Sequence, residues 1–154
     1  MARAKGEKLI SDNRRARHDY HLLDRFEAGV ALTGTEVKAL RDSKTSLQRA
    51  YADIHDGEAW LVGLHIAEYA QGNAANHEPD RERKLLLHRR EIDRLYGEVK
   101  EKGVTIVPTR MYFKDGRVKV ELALARGKEL HDKRRDIAAR DAQRQIDREL
   151  GRRR

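Results

Sequence analysis

The segment NRRARHDY, residues 13–20, gathers the side chains best suited to binding an anion. Three arginines and a histidine fall within five residues, between Asn13 and Tyr20. Guanidinium forks hold phosphate through paired hydrogen bonds and stack on bases. Asparagine and histidine read base or sugar edges, and tyrosine stacks. The chemistry is that of an RNA clamp, although short basic runs are common and weakly specific. No constellation demands catalysis. His18-Asp19 and His131-Asp132 are adjacent pairs, and neighbours on a strand point to opposite faces, so adjacency alone builds no dyad. None of the seven histidines shows a His-x₃-His or Glu-x-x-His spacing. A P-loop and a G-x-G-x-x-G run are also absent. The histidines read as surface donors or RNA contacts, and neither a metal nor a cofactor is expected.

The formal net charge of +8 is unevenly placed. Residues 1–17 carry six basic and two acidic side chains, and residues 128–154 carry ten and six. Residues 18–127 carry eighteen of each, with all eight aromatics and both prolines. A neutral, aromatic-bearing body with basic ends suggests a polyanion gripped at several points. Such binding should weaken with salt. The competing reading is that the ends only aid solubility. The absence of cysteine fits a reducing compartment, and no apolar run approaches the ~20 residues that span a bilayer. MARAKGEKLI has no signal-peptide core. A soluble, cytoplasmic monomer is expected, away from membranes.

The body must then position the clamp. Residues 1–12 have no apolar period and are expected to be mobile. Tyr20–Leu32 reads as a strand, and Thr33 or Thr35 caps a short helix over EVKALRDS, with Glu36 at its positive end. Asp56-Gly57 and Asp115-Gly116 each separate strand-like runs, a strong hairpin signal. QGNAANHEPD is a loop and RERKLLLH a buried strand. Ile92, Leu95, Tyr96 and Val99 recur at helical spacing up to Gly103. Val118, Val120, Leu122 and Leu124 alternate as a half-exposed strand should. Pro108 belongs at an edge or bulge. About six strands in short hairpins predict a mainly β fold with short helices. The strands would form a closed antiparallel six-stranded OB-like barrel over residues 13–127.

Residues 128–154 form a basic tail. Ala138, Ala142, Ile146 and Leu150 recur every four residues, and Arg140, Arg144, Arg148 and Arg152 do so on the opposite helix face. Two large apolar residues are too few to anchor a helix, and isolated helices are marginal in water. The tail is expected to be disordered when free and helical when its arginines meet phosphates, the alternative being a solvated helix docked on the barrel.

Five blocks taken together resemble the SsrA-binding protein family, small protein B: NRRARHDY, FEAGVALTGTEVKALR, DGEAW, HEPDRERKLLLHRREIDRLYG and GKELHDKR. They stand in the family's order and spacing and cover nearly all of Asn13–Arg134. The combination is highly specific, although no single block is. The resemblance implies a barrel that binds the tRNA-like domain of tmRNA. It implies a tail that occupies the empty mRNA channel and decoding centre of a stalled ribosome, with elongation factor Tu in attendance. Translation would resume on tmRNA, tagging the trapped peptide for degradation, with no enzymatic step by this chain.

By the same resemblance, Asn13, Arg14, Arg17 and His18 are expected RNA contacts. Glu27 would fix a loop or accept from a base or sugar hydroxyl. Glu36, Lys38 and Arg41 come with the helix block. Leu86 falls next to the RNA surface, where a core role is an equal alternative. Gly127, Lys128, His131, Asp132, Lys133 and Arg134 match the ribosome-active segment, with Arg140, Arg144 and Arg148 beyond it. Two positions depart from the pattern: Thr35 stands where many relatives carry tryptophan, and His88 where some carry asparagine. A ribosomal or assembly protein on an OB-like core would explain the charge but not the ordered blocks. An RNA-processing enzyme using His18 or His131 would require RNA turnover that is lost on His→Ala.

Overall fold

The computed structural model describes residues 6–70, 76–128 and 130–152. In chain order the elements are β1 (Glu7–Asp12), α1 (Arg14–Asp19), β2 (Tyr20–Val30), α2 (Gly34–Arg41), β3 (Thr45–Ser46), β4 (Tyr51–His55) and β5 (Glu58–Val62). There follow β6 (His65–Ile66), β7 (Arg83–Leu86), α3 (Arg89–Lys102), β8 (Thr105–Lys114), β9 (Arg117–Gly127) and α4 (Leu130–Arg152).

Both Asp-Gly pairs sit where the sequence places hairpins. Asp56 and Gly57 have φ of 54° and 73°, and Asp115 and Gly116 have 50° and 79°. Two successive left-handed residues make the turn whose twist matches antiparallel strands. These hairpins and the longer connections close a ring in the order β8-β4-β5-β7-β2-β9, with β9 paired back to β8. Every pairing is antiparallel. The expected six-stranded closed barrel is present. Its interior is filled by residues such as Leu61, Met111, Val120 and Leu122, each fully buried.

Pro108 stands at a register shift in β8, as a residue that cannot donate to the ladder should. The shift lets one half of β8 meet β4 at Ile106 while the other half carries β1 along Arg110–Lys114.

Four expectations need correction. The mobile N-terminus does not hold for Glu7–Asp12, which is a strand on β8 with Ile10 buried. Its single inward apolar residue lies at a bulge, so no alternation announces it. Residues 1–5 lie outside the described residues. The strand geometry used to set aside His18-Asp19 does not apply, because Arg14–Asp19 is a helix that Asn13 caps. The leucine run is not uniformly buried, because the pleat turns Leu85 inward and leaves Leu86 54% exposed. β9 is covered on both faces along part of its length. Ala16 of α1 packs with Val107 and Ala125 outside the barrel, where bare strand is expected.

Thr33 caps α2, and its backbone N–H donates to Glu36 Oε1 at 2.9 Å. α3 follows the predicted period at Ile92, Leu95 and Val99, which pack on the core, but Tyr96 is exposed, and the helix ends at Gly103. α4 starts at Leu130 and leaves Ile137, Ile146 and Leu150 exposed, so the helix body gains little from the barrel.

Candidate nucleic-acid interface

β2 organises two surfaces, one at each end. At its C-terminal end Gly29 pairs with Leu86 on β7 and with Lys119 on β9. A Cβ at Gly29 would lie 3.2 Å from Leu86 Cβ, so the missing side chain lets the two strands meet here. Leu86 is thereby held outward in an open groove that Glu27, Lys84, Arg89 and Lys119 also line. Glu58 and Glu91 line it too, and Lys84 pairs with Glu58 at 3.0 Å, so the exposed leucine stands in a lining of mixed charge that can meet a ribose or base face.

Glu27 is fixed by groups far away in sequence. It accepts from the Tyr112 hydroxyl and from Lys114 Nζ at 3.2 Å. The Tyr112 hydrogen bond first, and then Lys114 and Lys119, hold its carboxyl below the ordinary value. Burial and then the Glu27 carboxylate push the Tyr112 phenol up. Arg110 lies over the Tyr112 ring at 4.5 Å and pairs with Glu121 at 2.6 Å. Glu27 is therefore an ionised, oriented acceptor at the groove's edge. Its unused lone pairs can take a hydroxyl or an exocyclic amine.

At the other end of β2, α1 and the base of α4 meet. Arg14 is exposed, and Arg17 is exposed while pairing with Asp12. His18 Nδ1 lies 2.9 Å from Asp19 Oδ1, so this adjacent pair does touch: it ends a helix and not a strand. Lys128 N–H donates to Asp19 O at 2.9 Å. Its Nζ donates to Arg17 O at 3.0 Å and also reaches Asp136. Lys133 Nζ is 3.3 Å from Asp19, and His21 Nε2 is 3.2 Å from Asp132. The His18 hydrogen bond lowers the Asp19 pKa most, with Lys133 and Arg15 adding to it.

Three nominated residues are not placed to touch a ligand. Asn13 is 3% exposed and fully employed. Its Oδ1 accepts from Ala16 N–H, and its Nδ2 donates to Pro108 O and Leu47 O at 2.8 and 3.3 Å. Glu36 is completely buried, between Arg83 Nε at 2.6 Å and Arg81 Nε at 3.2 Å. Burial raises its pKa, but Arg81, the Thr33 N–H and Arg83 together leave it lowered. For Arg83 burial dominates and lowers the value. Guanidinium remains charged at neutral pH nonetheless. Lys128 is nearly enclosed at its side chain and turned toward α1. All three are positioning residues.

The remaining candidates with described side chains reach the surface. Lys38 and Arg41 are exposed on α2, with Lys38 Nζ 5.5 Å from the Tyr69 ring centre. Gly127 is exposed at the end of β9, and so are Arg134, Arg140, Arg144 and Arg148 along α4. The side chain of His131 lies outside the described residues. Thr35 bonds His77 at 2.9 Å. Among the described residues no group of three or more His, Asp or Glu is placed to hold a metal ion. No described helix is long and apolar enough to cross a membrane.

A barrel with an RNA-type groove and a separate cationic helix is the arrangement on which comparison with known proteins bears. The model of the SmpB protein family matches residues 10–152. The chain belongs to the SmpB family. It is 62% identical to the SsrA-binding protein of Mycobacterium ulcerans (strain Agy99) over 148 residues, 96% of this chain and 88% of the relative. It is 60% identical to that of Acidothermus cellulolyticus over 153 residues, 99% and 96% of the two chains. A solved structure of tmRNA–SmpB, described as a journey to the center of the bacterial ribosome, contains a chain that superposes with a TM-score of 0.66. That chain is 52% identical, and the match covers 78% of this chain and 85% of that one.

Within the SmpB fold, sequence reasoning missed Lys84 and Lys119 as groove residues, and Tyr112 and Lys114 as the groups that hold Glu27. Only Lys119 carried a signal, as an outward position in the alternating β9. The Tyr112–Glu27 bond joins positions 85 apart in sequence and left none.

Proposed function

We propose that this SmpB-family chain binds the tRNA-like domain of tmRNA with its barrel and delivers it to stalled ribosomes for trans-translation. The C-terminal tail occupies the empty mRNA channel and decoding centre, where its arginine face meets ribosomal RNA phosphate. The relatives carry the name SsrA-binding protein, and the superposed chain comes from a tmRNA–SmpB structure described by reference to the ribosome. The observation that carries the reading is the separation of two surfaces. The groove at Glu27 and Leu86 lies at one end of β2, and the base of α4, the helix that carries the exposed arginines, is held at the other by Asp19 and His21. A factor that holds one RNA while probing another needs such a division. The chain acts by binding alone, in the cytoplasm with the ribosomes, as a monomer accompanied by elongation factor Tu.

Truncation after Lys128 tests this. Affinity for the tRNA-like domain of tmRNA should persist and exceed that for bulk ribosomal RNA, while tagging on stalled ribosomes should cease. Full tagging by the truncated chain would overturn the role of the tail. Equal affinity for both RNAs would favour a general ribosomal protein.

A further inference from the structure

Glu27 has a second carboxylate as its cross-strand neighbour. In the antiparallel register of β2 and β9 it stands directly opposite Glu121. Side chains so placed share one face of the sheet, and like charges there repel. Both groups are ionised. Tyr112, and then Lys114 and Lys119, hold Glu27 below the ordinary carboxylate value. Burial raises Glu121, but Arg110 and then Arg25 leave it lowered. Arg110 of β8 stands opposite Glu121 on its other side, so Glu27, Glu121 and Arg110 form one row across three strands. Arg110 Nε donates to Glu121 at 2.6 Å. Its guanidinium also lies over the ring of Tyr112, whose hydroxyl donates to Glu27. We infer that Arg110 is a positioning residue of the RNA-binding groove: it neutralises Glu121, steadies the Tyr112 ring, and so fixes the Glu27 acceptor without itself touching RNA. The inference rests on the proposed binding of tmRNA.

A regular β8 would not put an arginine in that row. Pro108 pairs with Leu122, whose side chain fills the barrel, and residue 110 follows it by two, which is the same face of a regular strand. The register shift between Pro108 and Arg110 adds one residue and turns Arg110 outward, opposite Glu121. The added residue is Thr109, which is buried and donates from Oγ1 to Glu121 O at 3.3 Å. The bulge that proline imposes on β8 is thus what delivers a cation to Glu121.

The surroundings of Arg110 favour holding over binding. Its Nη1 reaches Glu7 of β1 at 3.4 Å, so the fork spans two carboxylates while one face covers a ring. Guanidinium used in this way has few donors left for phosphate. The other oxygen of Glu121 takes Arg25 at 3.2 Å. Among the described residues, the lining of the groove includes Glu27 and Lys119 but neither Arg110 nor Glu7. The outer strand β1 therefore acts on Glu27 at a distance, through Glu7, Arg110 and Tyr112.

The test uses the full chain carrying Arg110→Gln or, separately, Glu7→Ala, and reads affinity for tmRNA against salt. Arg110→Gln should weaken binding about tenfold, roughly what one charge-assisted hydrogen bond contributes, with the salt slope unchanged. A slope flattened by about one log–log unit would make Arg110 a phosphate contact and overturn the inference. Glu7→Ala removes an anion, so on charge alone it should tighten binding. As the loss of an anchor for Arg110 it should instead weaken binding about two- to threefold. Tighter or unchanged binding overturns the inference, and this variant decides the matter if Arg110→Gln does not fold. In a Glu27→Gln background either substitution should alter affinity by less than about twofold, because both act through that carboxylate. Fully additive losses would mark a general effect on the fold and overturn it too. The free protein supplies a readout that needs no RNA. Followed by its carboxyl carbon resonance, Glu27 in Arg110→Gln should titrate about 0.5 higher than in the parent, since an uncompensated Glu121 then faces it. An unmoved titration overturns the positioning role. A parent chain that does not bind tmRNA would overturn the proposed function, and the titration would still decide what Arg110 does.

Discussion

Lys133, in the first turns of the C-terminal helix, places its Nζ 3.3 Å from Oδ1 of Asp19, the last residue of α1. Asp19 also receives Arg15 at 3.3 Å and His18 at 2.9 Å, and its carbonyl accepts from Lys128 N–H. One carboxylate thus joins the basic cluster near the N-terminus to the tail expected to enter the ribosome. The body of α4 is exposed, so this polar base fixes the direction in which it leaves.

Asp19→Asn should loosen that base. Amide exchange over residues 132–137 should quicken by roughly two- to fivefold, because each exposed ion pair contributes only about 0.2–1 kcal/mol. Lowering the pH should likewise reduce protection in the parent, once each rate is divided by the intrinsic exchange rate at that pH. The Asp19 pKa is depressed, chiefly by His18. Its contribution is therefore present above the ordinary carboxylate pKa and is lost as pH falls through the lowered value. Exchange that is indifferent to both changes would count against the Asp19–Lys133 pairing.

Glu36→Gln should destabilise the fold by about 3 kcal/mol, because removing one partner leaves a buried guanidinium uncompensated. Arg83 has no exposed side-chain surface to relieve it. Chemical denaturation would show a lower midpoint with an unchanged slope. The folded pKa of Glu36 is lowered. Its contribution should accordingly hold at neutral pH and disappear in acid below the usual carboxylate range.

Replacing Arg14 and Arg17 by alanine should weaken RNA binding and flatten its salt dependence, by roughly one log–log unit for each phosphate that is no longer neutralised. Both side chains are exposed on α1. Asn13→Ala should weaken binding as well, but with an unchanged salt slope, because Asn13 is buried and shapes the site without touching phosphate. Titrating affinity against salt separates the two roles.

Alkaline titration should reveal Tyr112 ionising above the usual tyrosine range. Burial first and Glu27 second raise its pKa above the usual tyrosine value. Its contribution to stability is present below that ordinary value and is lost as pH rises through the raised one. Its phenolate absorbance should appear late, together with unfolding. Tyr112→Phe should remove the late step and free Glu27 to move, lowering affinity for tmRNA.

The sequence by itself determined the barrel and the division of charge. Asp56-Gly57 and Asp115-Gly116 encode turns locally, since both residues must adopt positive φ and few other pairs do so cheaply. The alternation around Val120 and the period around Ile92 and Leu95 follow from burying one face. The tail's opposed apolar and arginine stripes are equally local. The helix at residues 14–19 was legible in part, since Asn13 is a good cap and Arg17 and His18 suit its last turn.

Tertiary structure alone decided what the nominated residues do. Asn13 and Glu36 are polar and stand among charged neighbours in sequence, which suggests a surface. Their partners, Pro108 and Leu47 for one and Arg83 and Arg81 for the other, lie 34 to 95 positions away. The same holds for the bond that orients Glu27 from Tyr112 and the ion pair that seats the tail on Asp19. Periodicity reports which face of an element is buried. It carries nothing about which distant element a polar group will meet there, because closure of the barrel brings those partners together.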